Sequence, residues 1–420
     1  MKRALPFVLL LALAACASAP PPAIKTGASG PVFNEGGFDA EALGKAAHYP
    51  RVPANRRLER KDYVGSFSNY DQIYHSSRRI AAPETSSTLR RAPEPVIVYD
   101  APSGRRDIDF YLANNPTTAL LIAKDDTILV ERYQYARRES TRFTSFSMAK
   151  TLTAMLLGIA VAEGRIRSID DTAETYVPEL AGSEYGRTPI KALLSMSSGV
   201  AFREEYDGND DVTKLARGTF VGLGPGGPQV LSQFSSRARE PDTRFSYASA
   251  ETQVLGAVLA AASGSNLADY AAEKLWRPLG AEADASWLID RAGAESAYCC
   301  FQAVLRDWAR VGLMLAHDGA WNGRQIVPRD WLIAATSTDP KRPHLRPGTA
   351  TGYYGYGYQT WLFPGPGRTF ALLGVYGQTL YVDPANRLVM VHLAARGAAR
   401  DPGGAQTIAL WRGVRAALAK

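Results

Sequence analysis

Ala119-Leu120-Leu121-Ile122-Ala123-Lys124-Asp125-Asp126-Thr127-Ile128-Leu129-Val130, then Ser147-Met148-Ala149-Lys150 leading an apolar run to Glu163, is the stretch that decides the fold. Two apolar runs around an Asp-Asp step read as a β-hairpin, because each is strand length and the step between them suits a turn. The period then changes. Met148, Leu152, Met155, Leu156, Ile159 and Ala160 recur at helical spacing, and Gly164 ends the run. A strand pair therefore feeds an apolar helix that begins at Ser147.

On the C-terminal side the strand pattern returns. Tyr356–Leu362, Phe370–Gly374, Thr379–Val382 and Leu388–Leu393 are short apolar segments divided by Gly, Pro and Asn turns. Gln406–Leu418 reads as an amphipathic closing helix. Between the two strand regions, Ile169 to about Leu288 mixes helical stretches with Gly/Pro loops. Clear helices are expected near Ala250–Ala262 and Val304–His317. There is no internal repeat. The expected fold class is α+β: an antiparallel β-sheet formed from both chain ends, flanked by helices, with a mostly helical lobe inserted at about 165–300.

The N-terminus reads as an address. Lys2 and Arg3 precede an apolar run, Ala4–Ala15, that is too short to span a bilayer comfortably and suits a signal-peptide core. It ends Leu13-Ala14-Ala15-Cys16, which resembles a bacterial lipobox. That resemblance implies removal of residues 1–15, a lipid on Cys16, and anchoring to a membrane without spanning it. Ala17 in place of Asp implies the outer membrane, with the protein facing the periplasm. Residues 16–60 are expected to be a flexible tether and N-terminal extension, because the segment to about Gly36 is rich in Ala, Pro and Gly. The main domain is expected at 61–420.

Composition narrows the function. With 46% apolar and 21% charged residues, the 420-residue chain is ordinary for a globular enzyme. Its net charge of +7 comes mostly from Arg spread along the chain, which argues against a nucleic-acid partner. No Cys/His cluster has zinc spacing, so neither a metal nor another cofactor is expected. Cys299 and Cys300 are adjacent, and adjacent cysteines rarely bond each other because the geometry is strained.

Ser147-Met148-Ala149-Lys150 is an S-x-x-K motif. Given 27 Ser and 11 Lys, chance alone supplies roughly 0.7 such pairs, so the tetrapeptide means little without its setting. The setting is a helix start, where residues three apart share a face and the N-terminus favours negative charge. There a neutral Lys150 could take the Ser147 proton, which a serine must lose to become a nucleophile. Such a lysine must be desolvated or lie near positive charge.

Further segments fall in line. Phe143–Thr151, Leu193-Leu194-Ser195-Met196-Ser197-Ser198-Gly199, Pro241-Asp242-Thr243-Arg244-Phe245-Ser246-Tyr247-Ala248-Ser249, Gly319–Pro328 and Gly374-Val375-Tyr376-Gly377-Gln378 are collinear. Together they resemble the motif set of the serine β-lactamase and penicillin-recognising family, in its class C-like branch. The resemblance implies acyl transfer with Ser147 as nucleophile, Lys150 as base and Tyr247 as the proton donor to the leaving group. It implies an oxyanion hole from the Ser147 and Gln378 N–H groups, and substrate contacts at Tyr376 and Gly377. Val375 stands where the family carries a Lys or His that meets a substrate carboxylate. Ser249 stands for the usual Asn. Those departures, with Glu204-Glu205-Tyr206-Asp207 and Phe67–Ile73, resemble the 6-aminohexanoate-dimer hydrolases and their esterase relatives. That subgroup implies a small-molecule ester or linear amide substrate, with Ser249 and Tyr206 among the binding residues and Tyr206 on a loop over the site. A D-Ala peptidase or β-lactamase of the same fold, and a non-catalytic cell-envelope binding lipoprotein, are the alternatives. His392, within an apolar strand, reads as a core residue and not a triad base.

Overall fold

The computed structural model describes residues 30–74, 76–400 and 403–419. The signal segment and Cys16 lie outside the described residues. The central sheet joins the two chain ends. The Thr117–Lys124 and Thr127–Tyr133 hairpin pairs antiparallel with Leu388–Ala394, followed by Gln378–Asp383, Phe370–Gly374, Trp361–Leu362 and Gly355–Tyr356. Alternation divides the side chains between two cores. Leu121, Ala123, Leu380, Val382, Val389 and Val391 face one. Leu120, Ile122, Tyr381, Leu388 and Met390 face the other. Burial on both faces is why these strands read as unbroken apolar runs.

Helices cover each face. On the first, Leu305–Ala316 approaches so closely that a Cβ at Gly312 would lie 3.0 Å from a Leu380 methyl carbon. On the second, Gly404–Leu418 sets Leu410, Trp411 and Val414 against Tyr381 and Met390. The helical lobe lies between, and its Ser249–Ser263 helix packs on Ala149–Ala162.

Three features depart from expectation. Residues 30–60 are not a tether: Val32–Phe33 pairs parallel with Arg132–Tyr133, and Leu43, Tyr49 and Val52 are buried. The Ala/Pro/Gly composition gives way to apolar anchors after Gly37, so the folded part begins well before residue 61. The sheet is antiparallel at its centre but gains parallel edge pairings at Val32–Phe33 and Arg90–Arg91. Tyr356–Leu362 is not one strand, because the chain turns at Gln359 (φ 53°).

A second, four-stranded sheet orders Ser77–Ile80, Ala285–Leu288, Phe301–Val304 and Arg142–Thr144. Strands of three or four residues leave no legible period. This sheet delivers the chain to Ser147: Ser145 N–H donates to Phe301 O at 2.8 Å, and Phe301 N–H to Ser145 Oγ at 3.1 Å.

Candidate active site

Ser147 sits in a single 3₁₀ turn, Phe146–Met148, that leads into the Ala149–Ala162 helix. The preceding Phe146 has φ 42°. A bulky residue there costs about 1 kcal/mol or more, and such strain persists only where the surroundings impose it. Phe146 is held in an aromatic cluster with Phe67, Tyr70 and Tyr376, at centroid distances of 5.1, 5.4 and 5.4 Å.

Helical spacing brings Lys150 onto the same face. Its Nζ lies 3.0 Å from Ser147 Oγ, 3.0 Å from Ser249 Oγ and 3.0 Å from the Tyr298 carbonyl oxygen. The side chain is 1% exposed. Burial lowers its pKa to about 8, against a smaller opposing pull from Glu204. The Ser249 hydroxyl donates to Glu204 Oε1 at 2.8 Å, and the Ser249 N–H donates to Oε2 at 2.7 Å. The single Ser249 proton is thus spent on Glu204, and its oxygen can only accept from Lys150. The Tyr298 carbonyl can likewise only accept. Two amine protons are therefore committed, and a neutral Lys150 is left with its lone pair toward Ser147 Oγ.

Tyr247 completes the group. Its ring centroid is 5.0 Å from Lys150 Nζ, and its hydroxyl is within hydrogen-bonding reach of Ser147. Stacking on Trp361 at 5.3 Å fixes the ring. Burial, then the nearby Glu204 charge, pushes its pKa up, so the phenol keeps its proton and can act as a donor.

The third motif is arranged differently from expectation. Gly374 ends a strand, and residues 375–377 turn the chain, with Tyr376 at φ 60° and Gly377 at φ 89°. A Cβ at Gly374 would lie 2.5 Å from Ser145 O and 3.2 Å from Phe146 Cβ, so this glycine lets the strand press on the nucleophile turn. At Gly377 a Cβ would instead meet Arg396 Cδ at 2.6 Å; its space serves a protein side chain, not a substrate. Gln378 is 2% exposed, and its side-chain amide bonds Ala394 O at 2.8 Å. It does not line the cavity that holds Ser147, whereas Val375 and Tyr376 do.

That cavity holds about 400 Å³. Ser249 reaches it but spends its hydrogen bonds on Lys150 and Glu204. Tyr206 lines it from a loop, yet its hydroxyl donates to Glu204 Oε1 at 2.5 Å, so it is not free toward a substrate here. Cys299 and Cys300 also line it, and they form a disulfide, contrary to expectation. The pair directly follows Tyr298, whose carbonyl oxygen accepts from Lys150. His392 is structural. Gly377 O can only accept, so His392 Nδ1 donates to it at 3.0 Å, and burial lowers the imidazole pKa to about 3. Among the described residues no group of three His, Cys, Asp or Glu is placed to hold a metal.

Sequence reasoning did not assign Glu204, Tyr298 or Val375. Glu204 lay two residues before the Tyr206 it singled out. Tyr298 contributes a backbone oxygen, and Val375 stood out only for the cation it lacks.

Similarity to known proteins agrees with this geometry. The sequence profile of the beta-lactamase family matches residues 106–411. A 6-aminohexanoate-dimer hydrolase from Paenarthrobacter ureafaciens is 28% identical over 322 residues, 74% of this chain and 82% of that protein. A solved structure from Bacillus anthracis, assigned as a 6-aminohexanoate-dimer hydrolase, superposes with a TM-score of 0.76 at 22% identity, covering 86% of this chain and 97% of that one. A family VIII carboxylesterase structure gives 0.55 at 19% identity, covering 73% and 94%. At such identities the two structures speak for the fold alone.

Proposed function

The chain belongs to the beta-lactamase family of serine hydrolases, and from that premise we propose that it cleaves an ester or linear amide through an acyl-enzyme on Ser147. The observation that carries this reading is the hydrogen-bond order Glu204–Ser249–Lys150–Ser147, which leaves a neutral amine one free lone pair directed at the nucleophile.

In the first step Lys150 Nζ takes the Ser147 proton while Oγ bonds the substrate carbonyl carbon and the carbonyl π pair moves to oxygen. The Ser147 and Val375 N–H groups receive that oxyanion, Val375 taking the role that the motif alone gave to Gln378. Collapse re-forms the carbonyl and breaks the bond to the leaving group, which takes the Tyr247 proton; the Lys150 ammonium then reprotonates Tyr247. Water releases the acyl group by the same route.

The missing cation at Val375 supports an ester or linear amide over a β-lactam or D-Ala peptide. Ser147→Ala should lower kcat on p-nitrophenyl esters by about 10⁴-fold or more and abolish labelling by a fluorophosphonate. Retained turnover would sink the mechanism. Covalent labelling by penicillin at rates matching ester turnover would favour the β-lactamase alternative.

The Leu13-Ala14-Ala15-Cys16 segment supports a lipid anchor at Cys16 and a periplasm-facing place in a bacterial envelope. Cys16→Ser should release the protein from membranes and remove incorporation of labelled palmitate. Unchanged membrane fractionation would reject the anchor.

A further inference from the structure

The Cys299–Cys300 disulfide forms part of the wall of the Ser147 cavity. Both residues are otherwise buried, so the cavity is the side from which a reagent reaches them. The chain around them is tied down. Cys299 N–H donates to Ser296 O at 3.0 Å, and Cys299 O accepts from Trp287 Nε1 at 2.9 Å. Cys300 O accepts from the Leu288 N–H at 3.2 Å and from Gln302 Nε2 at 2.9 Å. Cys300 has φ 67°, a left-handed conformation that a residue with a Cβ keeps only where its surroundings impose it. The disulfide closes a small ring through the peptide bond between the two residues and is one of the restraints that impose it.

Tyr298, the residue before the pair, meets Lys150 twice. Its carbonyl oxygen accepts from Lys150 Nζ at 3.0 Å, and its ring centroid lies 5.3 Å from the same atom. That carbonyl and the Cys299 N–H belong to one planar peptide group, so a rotation of this group carries the oxygen away from the amine. Two thiols cannot stay at bonding distance, so breaking the bond must part the sulfur atoms. Packed neighbours resist on the protein side. The sulfur atoms can then move only toward the cavity or by turning the adjoining peptides.

We propose that Cys299–Cys300 is a redox-active site, that dithiols entering the Ser147 cavity reduce it, and that reduction lowers hydrolysis by freeing the peptide that holds the Tyr298 carbonyl on Lys150. This rests on the serine hydrolase reading above. A thiolate of the dithiol bonds one cysteine sulfur, and the S–S electron pair leaves on the other, which takes a proton. The second thiolate of the dithiol then bonds the first, and the cysteine sulfur so displaced takes the second proton. Two electrons pass from the dithiol, which ends as a cyclic disulfide, to the pair, which ends as two thiols.

The test uses the full-length protein, treated with dithiothreitol without denaturant and then freed of it by gel filtration. Alkylation with iodoacetamide and peptide mapping read how much of the pair is reduced, and p-nitrophenyl hexanoate reads turnover in matched, unalkylated samples. As the pair opens, kcat should fall by about tenfold or more while KM moves less, because a small displacement of the base is costly. Oxidised glutathione should restore kcat, so the wild type alone carries the test even if a variant fails to fold. A double variant, Cys299→Ser with Cys300→Ser, stands in for the reduced state; it should begin at low kcat and ignore dithiothreitol. A pair that dithiothreitol does not open, a reduced protein with undiminished kcat, a double variant as active as the oxidised wild type, or one that loses activity equally on treatment would overturn the proposal. Absence of turnover in the oxidised protein would instead reject the hydrolase reading beneath it, and alkylation would still report whether a dithiol reaches the pair.

Discussion

The two walls of the Ser147 cavity differ in how completely their polar groups are used. On one wall Lys150, Ser249, Glu204 and Tyr206 exchange hydrogen bonds until little capacity is left. On the other, Arg57 has a buried donor without a partner and tyrosine rings for neighbours. A closed polar network holds one geometry and suits chemistry that must recur unchanged. An open, charged and apolar wall is stable only in part by itself and suits a ligand that completes it. The first wall fixes the reacting groups, and the second leaves polar capacity unspent.

Breaking the closed wall should have the largest effect. Lys150→Met removes the base, and kcat/KM on neutral esters should fall by about 10²–10⁴-fold. A loss below tenfold would show that another group takes the Ser147 proton. Glu204→Gln is the finer probe. Wild-type kcat/KM should rise with pH as Lys150 loses its proton near pH 8. The Glu204 charge favours the protonated amine, so its removal should move this limb to lower pH. The plateau should fall roughly tenfold as the Ser249 hydroxyl loses its fixed orientation. A lowered plateau with an unmoved limb would make Glu204 a packing residue only.

The contrast also explains what the sequence could disclose. Ser147, Lys150 and Tyr247 stand inside motifs whose order along the chain is visible, and the central strands and the larger helices around them are long enough to show a period. The hairpin at 117–133, the strand at 388–394 and the helices at 149–162 and 305–316 were legible for that reason. The motif's resemblance assigns the second oxyanion donor to Gln378, but a motif gives an order of residues and not the point at which the chain turns. Two successive positive φ values at Tyr376 and Gly377 shift the close approach back to Gly374. The Cys299–Cys300 bond was missed because the rarity of such bonds is a frequency, and one local backbone can override it. Arg57 was hidden by composition: a Pro- and Arg-rich stretch read as tether contains few apolar residues, but Leu43, Tyr49 and Val52 are enough to pin it against the domain.

One residue behind the closed wall breaks its pattern, and it supports the smallest prediction. Glu251 follows Ser249 on the same helix and is 1% exposed. Its Oε1 accepts from Ser198 Oγ at 2.6 Å, but its Oε2 has no partner among the described residues. Burial raises its pKa from 4.5 to about 8, with the Ser198 hydrogen bonds holding it partly back. The sign follows from the direction of the shift. An acid whose folded pKa lies above its unfolded value contributes stability that is full below the unfolded pKa and is lost as pH rises through the folded one. Between about pH 4.5 and 8 the wild type should therefore lose stability through this group. Glu251→Gln removes the titration and keeps the shape. The variant and wild type should melt within a degree or two of each other at pH 5, and the variant should gain on the wild type by pH 9, by an amount on the order of a few kcal/mol at most. Thermal melts across that range read the gap directly. A gap that stays constant from pH 5 to 9 would mean that Glu251 finds a partner or water for its second oxygen, and that the wall behind Ser147 is closed throughout.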